Sequence, residues 1–186
     1  MIEYFTIKNF LSEHQCNEII KFSLENLKLR DGLVGSEIYD ERIRKSSISF
    51  TNYDTVFPYI KENLLKEIVE KIKIKGYEIN FENQPYQFTR YNKGEFYNWH
   101  TDSANNGYSA DRYCSIVIQL NNDYEGGDLE MMKDETKIQF EKGTGNLFVF
   151  LSSITHRVNE IVDGTRYSLV SWFTLKPTKD FKKTLI

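Results

Sequence analysis

The second half of the chain, from Gln84 onward, alternates between short segments rich in apolar and aromatic residues and turns rich in glycine and asparagine. Segments of this length bounded by turn residues are typical of β-strands, and six or more of them at short spacing favour a sandwich or a barrel. Aromatic residues make up 15% of the chain, which suits strands. The pattern therefore predicts a mainly β architecture.

The first half adds two predicted helices. Ser12 and Gln15 have the spacing of a capping box, and the apolar residues that follow fit an amphipathic helix to about Leu27. A second helix is expected from Val56 to Ile72, with its apolar face formed by Phe57, Ile60, Leu64, Leu65 and Ile68. We expect an α+β fold in a single domain, 1–186, in which residues 1–83 support a core formed by 84–175.

Composition bounds the function class. Hydrophobic residues make up 40% of the chain, charged residues 27%, and the formal charge is -3, which argues against a nucleic-acid partner. The N-terminus lacks the features of a signal peptide, and no stretch approaches a membrane span. Cys16 and Cys114 are expected to be buried free thiols in a reducing compartment, so we predict a cytoplasmic protein without a membrane partner.

A histidine and an aspartate two residues apart, His100 and Asp102, end a strand-like segment. Side chains at this spacing in an extended chain point to the same face, so both could reach one borderline divalent metal such as iron(II). A third ligand could come from His156, whereas His14 lies in a predicted helix and is expected at the surface. The pair alone is also compatible with a histidine that is simply hydrogen-bonded to an aspartate.

A later strand carries an arginine that needs a partner. Gly164 to Phe173 predicts a turn followed by a strand whose one face presents Arg166, Ser168, Val170 and Trp172. An arginine in so apolar a strand is costly unless it meets an anion. Arg166 and Ser168 could together hold a carboxylate.

The order His100-x-Asp102, His156, Arg166 and Ser168 resembles that of the iron(II)- and 2-oxoglutarate-dependent dioxygenases, and most of all their prolyl 4-hydroxylase-like branch. The resemblance runs from about Gln87 to Phe173. Further matches are Tyr91-x-x-Gly94, Leu120-Asn121 followed by Gly126-Gly127-Asp128-Leu129, and Ser152-Ser153 before His156. It implies a double-stranded β-helix, the jelly roll also called cupin-like, with N-terminal supporting helices.

The resemblance also implies a cofactor set. Iron(II) would be bound by His100, Asp102 and His156, leaving positions open for 2-oxoglutarate and dioxygen. The residues implied in binding 2-oxoglutarate are Arg166, Ser168 and Tyr91. The co-substrate would be converted to succinate while an unactivated C–H bond is hydroxylated, with ascorbate as a possible supporting reductant. Asp102 points to hydroxylation, because halogenating relatives replace this carboxylate with a small residue.

The substrate is the open question at this stage. The resemblance suggests a peptidyl proline or another protein side chain, with a free amino acid or small metabolite as the alternative. Two other classes also fit parts of the pattern: a zinc hydrolase using the same three ligands, and a non-catalytic jelly-roll binding module. Whether Gln119, Trp172 and the loop 103–111 contact cofactor or substrate is left open. The alternating segment from Arg42 to Phe50 is expected to be a solvated edge strand protected by its charges, and the alternative is that its three cations contact an acidic substrate.

Overall fold

The computed structural model describes residues 3–34, 39–72, 74–82, 84–103 and 109–178. Within these ranges the chain forms two α-helices, a short 3-10 helix and fifteen strands. In chain order they are β1 (Tyr4–Ile7), α1 (Glu13–Asn26), β2 (Arg30–Asp31), β3 (Arg44–Lys45), β4 (Ser47–Thr51), the 3-10 helix (Tyr53–Thr55), α2 (Tyr59–Lys71), β5 (Tyr77–Asn80), β6 (Tyr86–Asn92), β7 (Phe96–His100), β8 (Cys114–Gln119), β9 (Glu125–Gly126), β10 (Leu129–Lys133), β11 (Thr136–Gln139), β12 (Leu147–Leu151), β13 (His156–Val158), β14 (Ile161–Asp163) and β15 (Thr165–Pro177).

Two antiparallel sheets make up most of the molecule. The large sheet has the order β1-β12-β8-β15-β6-β4-β2, with β5 paired to the far end of β15. The small sheet has the order β11-β10-β13-β7-β3, and a two-strand ribbon joins β14 to β9. This confirms the predicted jelly roll, a mainly β fold with helices in its N-terminal part.

The large sheet is buried on both faces, and β8 shows how. Its residues Cys114, Ile116 and Ile118 pack with the helices, in a cluster that includes Ile19 of α1 and Ile60 of α2. The residues between them point to the opposite face, as the period of two requires. The helices therefore act as a cover for one face of the large sheet, as the sequence predicts.

A second cluster fills the space between the sheets. It joins Val117 and Phe148 of the large sheet to Leu129, Met131 and Val158 of the small one. Toward one end of this space the apolar packing gives way to a cavity of about 620 Å³. The two sheets thus hold a pocket open between them, lined by side chains from both.

The helices confirm one boundary and correct another. At α1 the predicted capping box is present: Gln15 N donates to Ser12 Oγ at 3.2 Å, and Ser12 N donates to Gln15 Oε1 at 2.9 Å. The second helix starts at Tyr59, later than predicted, because Pro58 takes the N-cap position after a separate 3-10 turn. Leu65 was wrongly assigned to the buried face and is 36% exposed.

Two smaller expectations about the described ranges can be settled. Both cysteines are buried free thiols, as predicted. None of the helices in these ranges is long and apolar enough to cross a membrane. The division of the chain into a support region and a core stays a prediction.

Candidate active site

Three potential metal ligands meet at one end of the cavity. His100 is the last residue of β7, Asp102 follows it by two positions, and His156 is the first residue of β13. Because β7 and β13 are paired with His100 opposite His156, the strand register itself brings the two imidazoles together. One ligand atom from each of the three residues lies within 4.8 Å of the others. The sequence-predicted metal ligands are therefore brought to a single point.

Backbone carbonyls fix which nitrogen each histidine offers. His100 Nδ1 lies 2.8 Å from the carbonyl oxygen of Asn98, and His156 Nδ1 lies 2.9 Å from that of Ile154. A carbonyl only accepts, so each Nδ1 carries the proton and each Nε2 keeps its lone pair. Both Nε2 atoms lie 3.6 Å from the Asp102 carboxylate. This leaves three donor atoms facing the same small volume.

The Asp102 carboxylate is held by two donors on the large sheet. Ser115 Oγ donates to Asp102 Oδ2 at 2.6 Å, and Trp172 Nε1 donates to the same oxygen at 3.0 Å. Ser115 and Trp172 are direct cross-strand neighbours on β8 and β15. The Ser152 hydroxyl lies 3.0 Å from that of Ser115 and extends the network. With Oδ2 engaged in this way, Oδ1 is the oxygen left for a metal.

The charge state of the cluster suits a divalent cation. Burial lowers the pKa of His156 to about 4, against the opposing effect of Asp102. Burial by itself would raise the pKa of Asp102, but the interactions with His156, His100 and Ser115 outweigh it and hold that pKa well below its usual range. At neutral pH the site therefore presents an ionised carboxylate beside a neutral imidazole.

A buried arginine lies deeper in the same cavity. Arg166 on β15 is 1% exposed, and its Nη1 donates to Ser168 Oγ at 3.0 Å. Its guanidinium lies 5.5 Å from the centre of the Tyr91 ring, and Tyr91 is the register partner of Arg166 on β6. The buried Nε has no acceptor, and no carboxylate in the described ranges forms an ion pair with Arg166. Since a guanidinium cannot lose its charge, this is a site prepared for an anion.

Several residues left open by the sequence can now be placed. Trp172 and Val117 line the cavity. Gln119 is buried but is not among the residues that line the cavity; its Nε2 donates to the Tyr124 hydroxyl at 2.9 Å, and Tyr124 is hydrogen-bonded to Arg166. Of the predicted loop 103–111, residues 104–108 lie outside the described residues, while Ser103 and Ser109 line the cavity.

Two further residues line the cavity near the histidine ligands: Tyr97, to which the sequence analysis gave no role, and Arg44. Tyr97 stacks on His100 with ring centroids 3.4 Å apart, and the Arg44 guanidinium lies 4.5 Å from the centre of the Tyr97 ring. The expected solvated edge strand is wrong for Arg44, which is only 5% exposed. The signal was present in the alternation, because Arg44 shares its parity with Ser46 and Ile48, and all three are buried.

Comparison with known proteins gives a consistent result. Residues 86–174 match the model of the 2OG-Fe(II) oxygenase superfamily. A PKHD-type hydroxylase of Picosynechococcus sp. is 34% identical over 86 residues, which cover 46% of this chain and 39% of that protein. A PKHD-type hydroxylase of Prochlorococcus marinus is 25% identical over 168 residues, covering 84% of this chain and 71% of the relative. The chain thus spans about two-fifths of the length of the first of these relatives.

The fold has relatives among solved structures. A prolyl hydroxylase from Trichoplax adhaerens, solved in complex with a hypoxia inducible factor oxygen degradation domain peptide fragment, superposes with a TM-score of 0.77. The match covers 92% of this chain and 83% of that one, at 18% identity. At this identity the likeness establishes the jelly-roll fold.

Proposed function

We propose that this chain is an iron(II)- and 2-oxoglutarate-dependent dioxygenase of the 2OG-Fe(II) oxygenase superfamily, whose model matches residues 86–174. Its proposed substrate is a protein side chain, most specifically a peptidyl proline. One observation carries this proposal. The three-ligand cluster of His100, Asp102 and His156 opens into the same cavity as the guanidinium of Arg166, which has no carboxylate partner among the described residues.

The donor set fits iron(II). Two imidazoles and one carboxylate, with no further His, Cys, Asp or Glu grouped with them in the described ranges, form the two-histidine-one-carboxylate arrangement that leaves coordination positions free. His100, Asp102 and His156 would hold the metal. The Nδ1–H bonds to backbone carbonyls would keep both rings in the ligating tautomer.

The deeper part of the cavity fits a dicarboxylate. Arg166 would pair with the distal carboxylate of 2-oxoglutarate through a charge-assisted bond, with Ser168 and Tyr91 beside it. A zinc hydrolase could use the same three ligands, but it gives Arg166 no role. The buried guanidinium therefore favours the oxygenase.

When bound, iron(II) with 2-oxoglutarate and dioxygen supplies the oxidising chemistry: one oxygen atom enters succinate as carbon dioxide is lost, and the other enters the substrate as a hydroxyl. The protein contributes position and shielding. Trp172 and Ser115 hold Asp102, Arg166 orients the co-substrate, and apolar residues such as Val117, Leu129 and Val170 limit water in the cavity.

The proline assignment is supported by the relatives. The Trichoplax adhaerens structure with a TM-score of 0.77 is a prolyl hydroxylase with a bound peptide fragment, and a Pseudomonas putida prolyl-4-hydroxylase superposes with a TM-score of 0.69 at 23% identity. A peptide partner would enter through the part of the cavity that is lined by Arg30, Leu33, Arg44, Ile48 and Phe50.

The test is a coupled assay on prolyl peptides. Purified protein with iron(II), 2-oxoglutarate and ascorbate under air should convert 2-oxoglutarate to succinate and add one oxygen atom to a peptide, as seen by mass spectrometry. Both products should disappear when iron or 2-oxoglutarate is left out. Succinate formation with no prolyl peptide oxidised would support the reaction class and reject the substrate.

A further inference from the structure

A second arginine in the cavity also lacks an anionic partner. Arg44 lies where the chain passes from the small sheet, through β3, into the large sheet at β4. Its Nε donates to Ser46 Oγ at 2.8 Å and its Nη1 to the carbonyl oxygen of Leu33 at 3.1 Å. Its Nη2 is buried without an acceptor, and no carboxylate in the described ranges pairs with it. Arg44 therefore combines a permanent charge with an unused donor that lines a ligand cavity.

Such an arrangement is costly in an empty protein. A buried donor without an acceptor loses its hydration and gains nothing in return, and the cost is larger for a charged group. A guanidinium cannot avoid the cost by losing its proton. The two hydrogen bonds and the Tyr97 ring fix the Arg44 fork in place, which prepares it for an anion rather than relieving its charge.

Arg44 and Arg166 lie on different sheets, although the charges of both act to lower the pKa of Tyr91. Arg166 lies on β15 near the middle of the large sheet, and Arg44 lies on β3 at the edge of the small sheet. Arg44 contacts Tyr97, which stacks on the metal ligand His100, whereas Arg166 contacts Ser168. One dicarboxylate co-substrate accounts for Arg166 and leaves Arg44 without a partner.

The charge of the cavity also favours a second anion. Among its described lining residues the charged groups are Arg30, Arg44, Arg112, Arg166 and Asp102. Four guanidinium groups, one Asp102 carboxylate, one iron(II) ion and one 2-oxoglutarate dianion together give these described lining residues and their ligands a formal charge of about +3. A field of this sign attracts an anionic substrate.

We propose that Arg44 binds a carboxylate of the substrate, so that the molecule hydroxylated is an acid with its carboxylate close to the C–H bond that reacts. This rests on the proposed function and names its substrate class. The link through Tyr97 to His100 places the carboxylate next to the metal centre, which favours an anionic group on the target residue or on its immediate neighbour. The acid is a free amino acid, a C-terminal residue or a residue beside an Asp or Glu.

Matched pairs of small probes test the proposal and separate these sources. The pairs are L-proline and L-prolinamide, acetyl-Gly-Pro acid and its amide, and amidated acetyl-Pro-Asp and acetyl-Pro-Asn. Each is titrated calorimetrically into protein loaded with iron(II) and 2-oxoglutarate under nitrogen, where no turnover occurs. In at least one pair we expect the acid to bind about tenfold or more tightly than the amide that lacks its carboxylate.

Variants assign the preference to Arg44. Arg44→Gln should abolish the difference in affinity between the acid and the amide of each pair. Arg44→Lys should keep part of that difference, because the positive charge remains without the planar guanidinium. Arg42→Gln is the matched control: Arg42 lies two residues away, its side chain is 89% exposed and it is paired with Asp40. This control should retain the full preference.

The outcomes are distinguishable from failure of the proposed function. Affinity for 2-oxoglutarate should be unchanged in Arg44→Gln, so a loss there would assign the co-substrate to Arg44 and overturn the proposal. Equal affinities of the acid and the amide in all pairs, including no binding of either, would also overturn the proposal. If the wild type binds no 2-oxoglutarate at all, the proposed function fails first. If Arg44→Gln does not bind 2-oxoglutarate because it is unfolded, circular dichroism shows this. The Arg44→Lys variant is then used in its place, and it should show a reduced preference for the acid with unchanged affinity for 2-oxoglutarate.

Discussion

At the scale of single residues, the Asp102 carboxylate depends on neighbours that are not ligands themselves. The Trp172 indole N–H and the Ser115 hydroxyl both donate to Oδ2, which leaves Oδ1 for the metal. Such outer contacts orient a ligand and tune how strongly it binds. Trp172 is thus a positioning residue. Its indole also packs against Arg112, whose guanidinium carbon lies 3.6 Å from the centre of the ring.

We predict that Trp172→Phe weakens metal binding while the fold is kept. The phenyl ring fills much of the space but cannot donate to Asp102, and losses of outer contacts cost about 10- to 100-fold in metal affinity. Manganese(II) titration by calorimetry measures the effect. The matched control is Trp99→Phe, because the Trp99 side chain packs against Arg157 instead of a ligand. The guanidinium carbon of Arg157 lies 4.6 Å from the centre of the Trp99 ring. An equal effect of both substitutions would contradict a specific role for Trp172.

The two thiols give a second prediction at this scale. Burial raises the pKa of both Cys16 and Cys114 to about 12, compared with about 8.5 for a free cysteine. Because the thiolate is the reactive form, both thiols should react slowly with a disulfide reagent at about pH 8 in the native protein and fast after unfolding in guanidinium. Rapid reaction of either thiol in the native state would show that its surroundings are more open than described here.

At the scale of elements, β10 and β13 are joined by a charged cross-strand pair. Glu130 is 2% exposed and lies opposite Arg157. Its carboxylate accepts from Arg157 Nε at 2.8 Å, and Lys137 Nζ of β11 lies 3.0 Å from Glu130 Oε1. Burial opposes the charge on Glu130, but hydrogen bonds from Lys137 and Arg157 lower its pKa below the usual value. This network fixes the register that places His156 at the start of β13.

We predict that Glu130→Gln lowers the free energy of unfolding by about 1–3 kcal/mol near neutral pH, because Arg157 loses a charged partner. A lowered pKa in the folded state stabilises the protein above the unfolded pKa, and this contribution is lost as the pH falls through the folded pKa. The difference between wild type and variant in urea unfolding should therefore shrink in acid. Glu125→Gln, an exposed position, is the control, and a similar loss there would contradict the assignment.

The elements also show what the sequence could and could not predict. The alternation along β15 was enough to place Arg166, Ser168 and Trp172 on one face, because strand periodicity is local. The contact between Trp172 and Asp102 depends on the pairing of β15 with β8 and on the packing of the two sheets. Neither can be predicted from the local periodicity of the sequence. The cations between Arg42 and Phe50 favoured an exposed edge strand over a substrate contact, although Arg44 shares its parity with Ile48, which is buried.

At the scale of the whole molecule, the site spans both sheets. The histidine ligands come from the small sheet, and Arg166, Ser168 and the donors to Asp102 come from the large one. Ligands that bridge the two sheets should therefore stabilise the fold, since anything that binds only the folded state shifts the unfolding equilibrium.

We predict that manganese(II) and 2-oxoglutarate each raise the melting temperature under nitrogen. A ligand at about 100 times its Kd adds about 2.7 kcal/mol, which corresponds to roughly 5 to 10 °C for a chain of this size. Arg166→Gln should keep the shift caused by the metal and lose the increment caused by 2-oxoglutarate. An unchanged 2-oxoglutarate increment in that variant would reject Arg166 as its anchor.

The central claim is that His100, Asp102 and His156 hold a metal that works with a co-substrate at Arg166. The most direct measurement is succinate formation from 2-oxoglutarate with iron(II) and ascorbate under air, comparing wild type with His156→Ala and with His14→Ala. His14 is the control because its side chain is 81% exposed on α1 and it is not among the residues that line the cavity. The account predicts succinate from wild type and His14→Ala and none above background from His156→Ala; equal succinate from all three would contradict it.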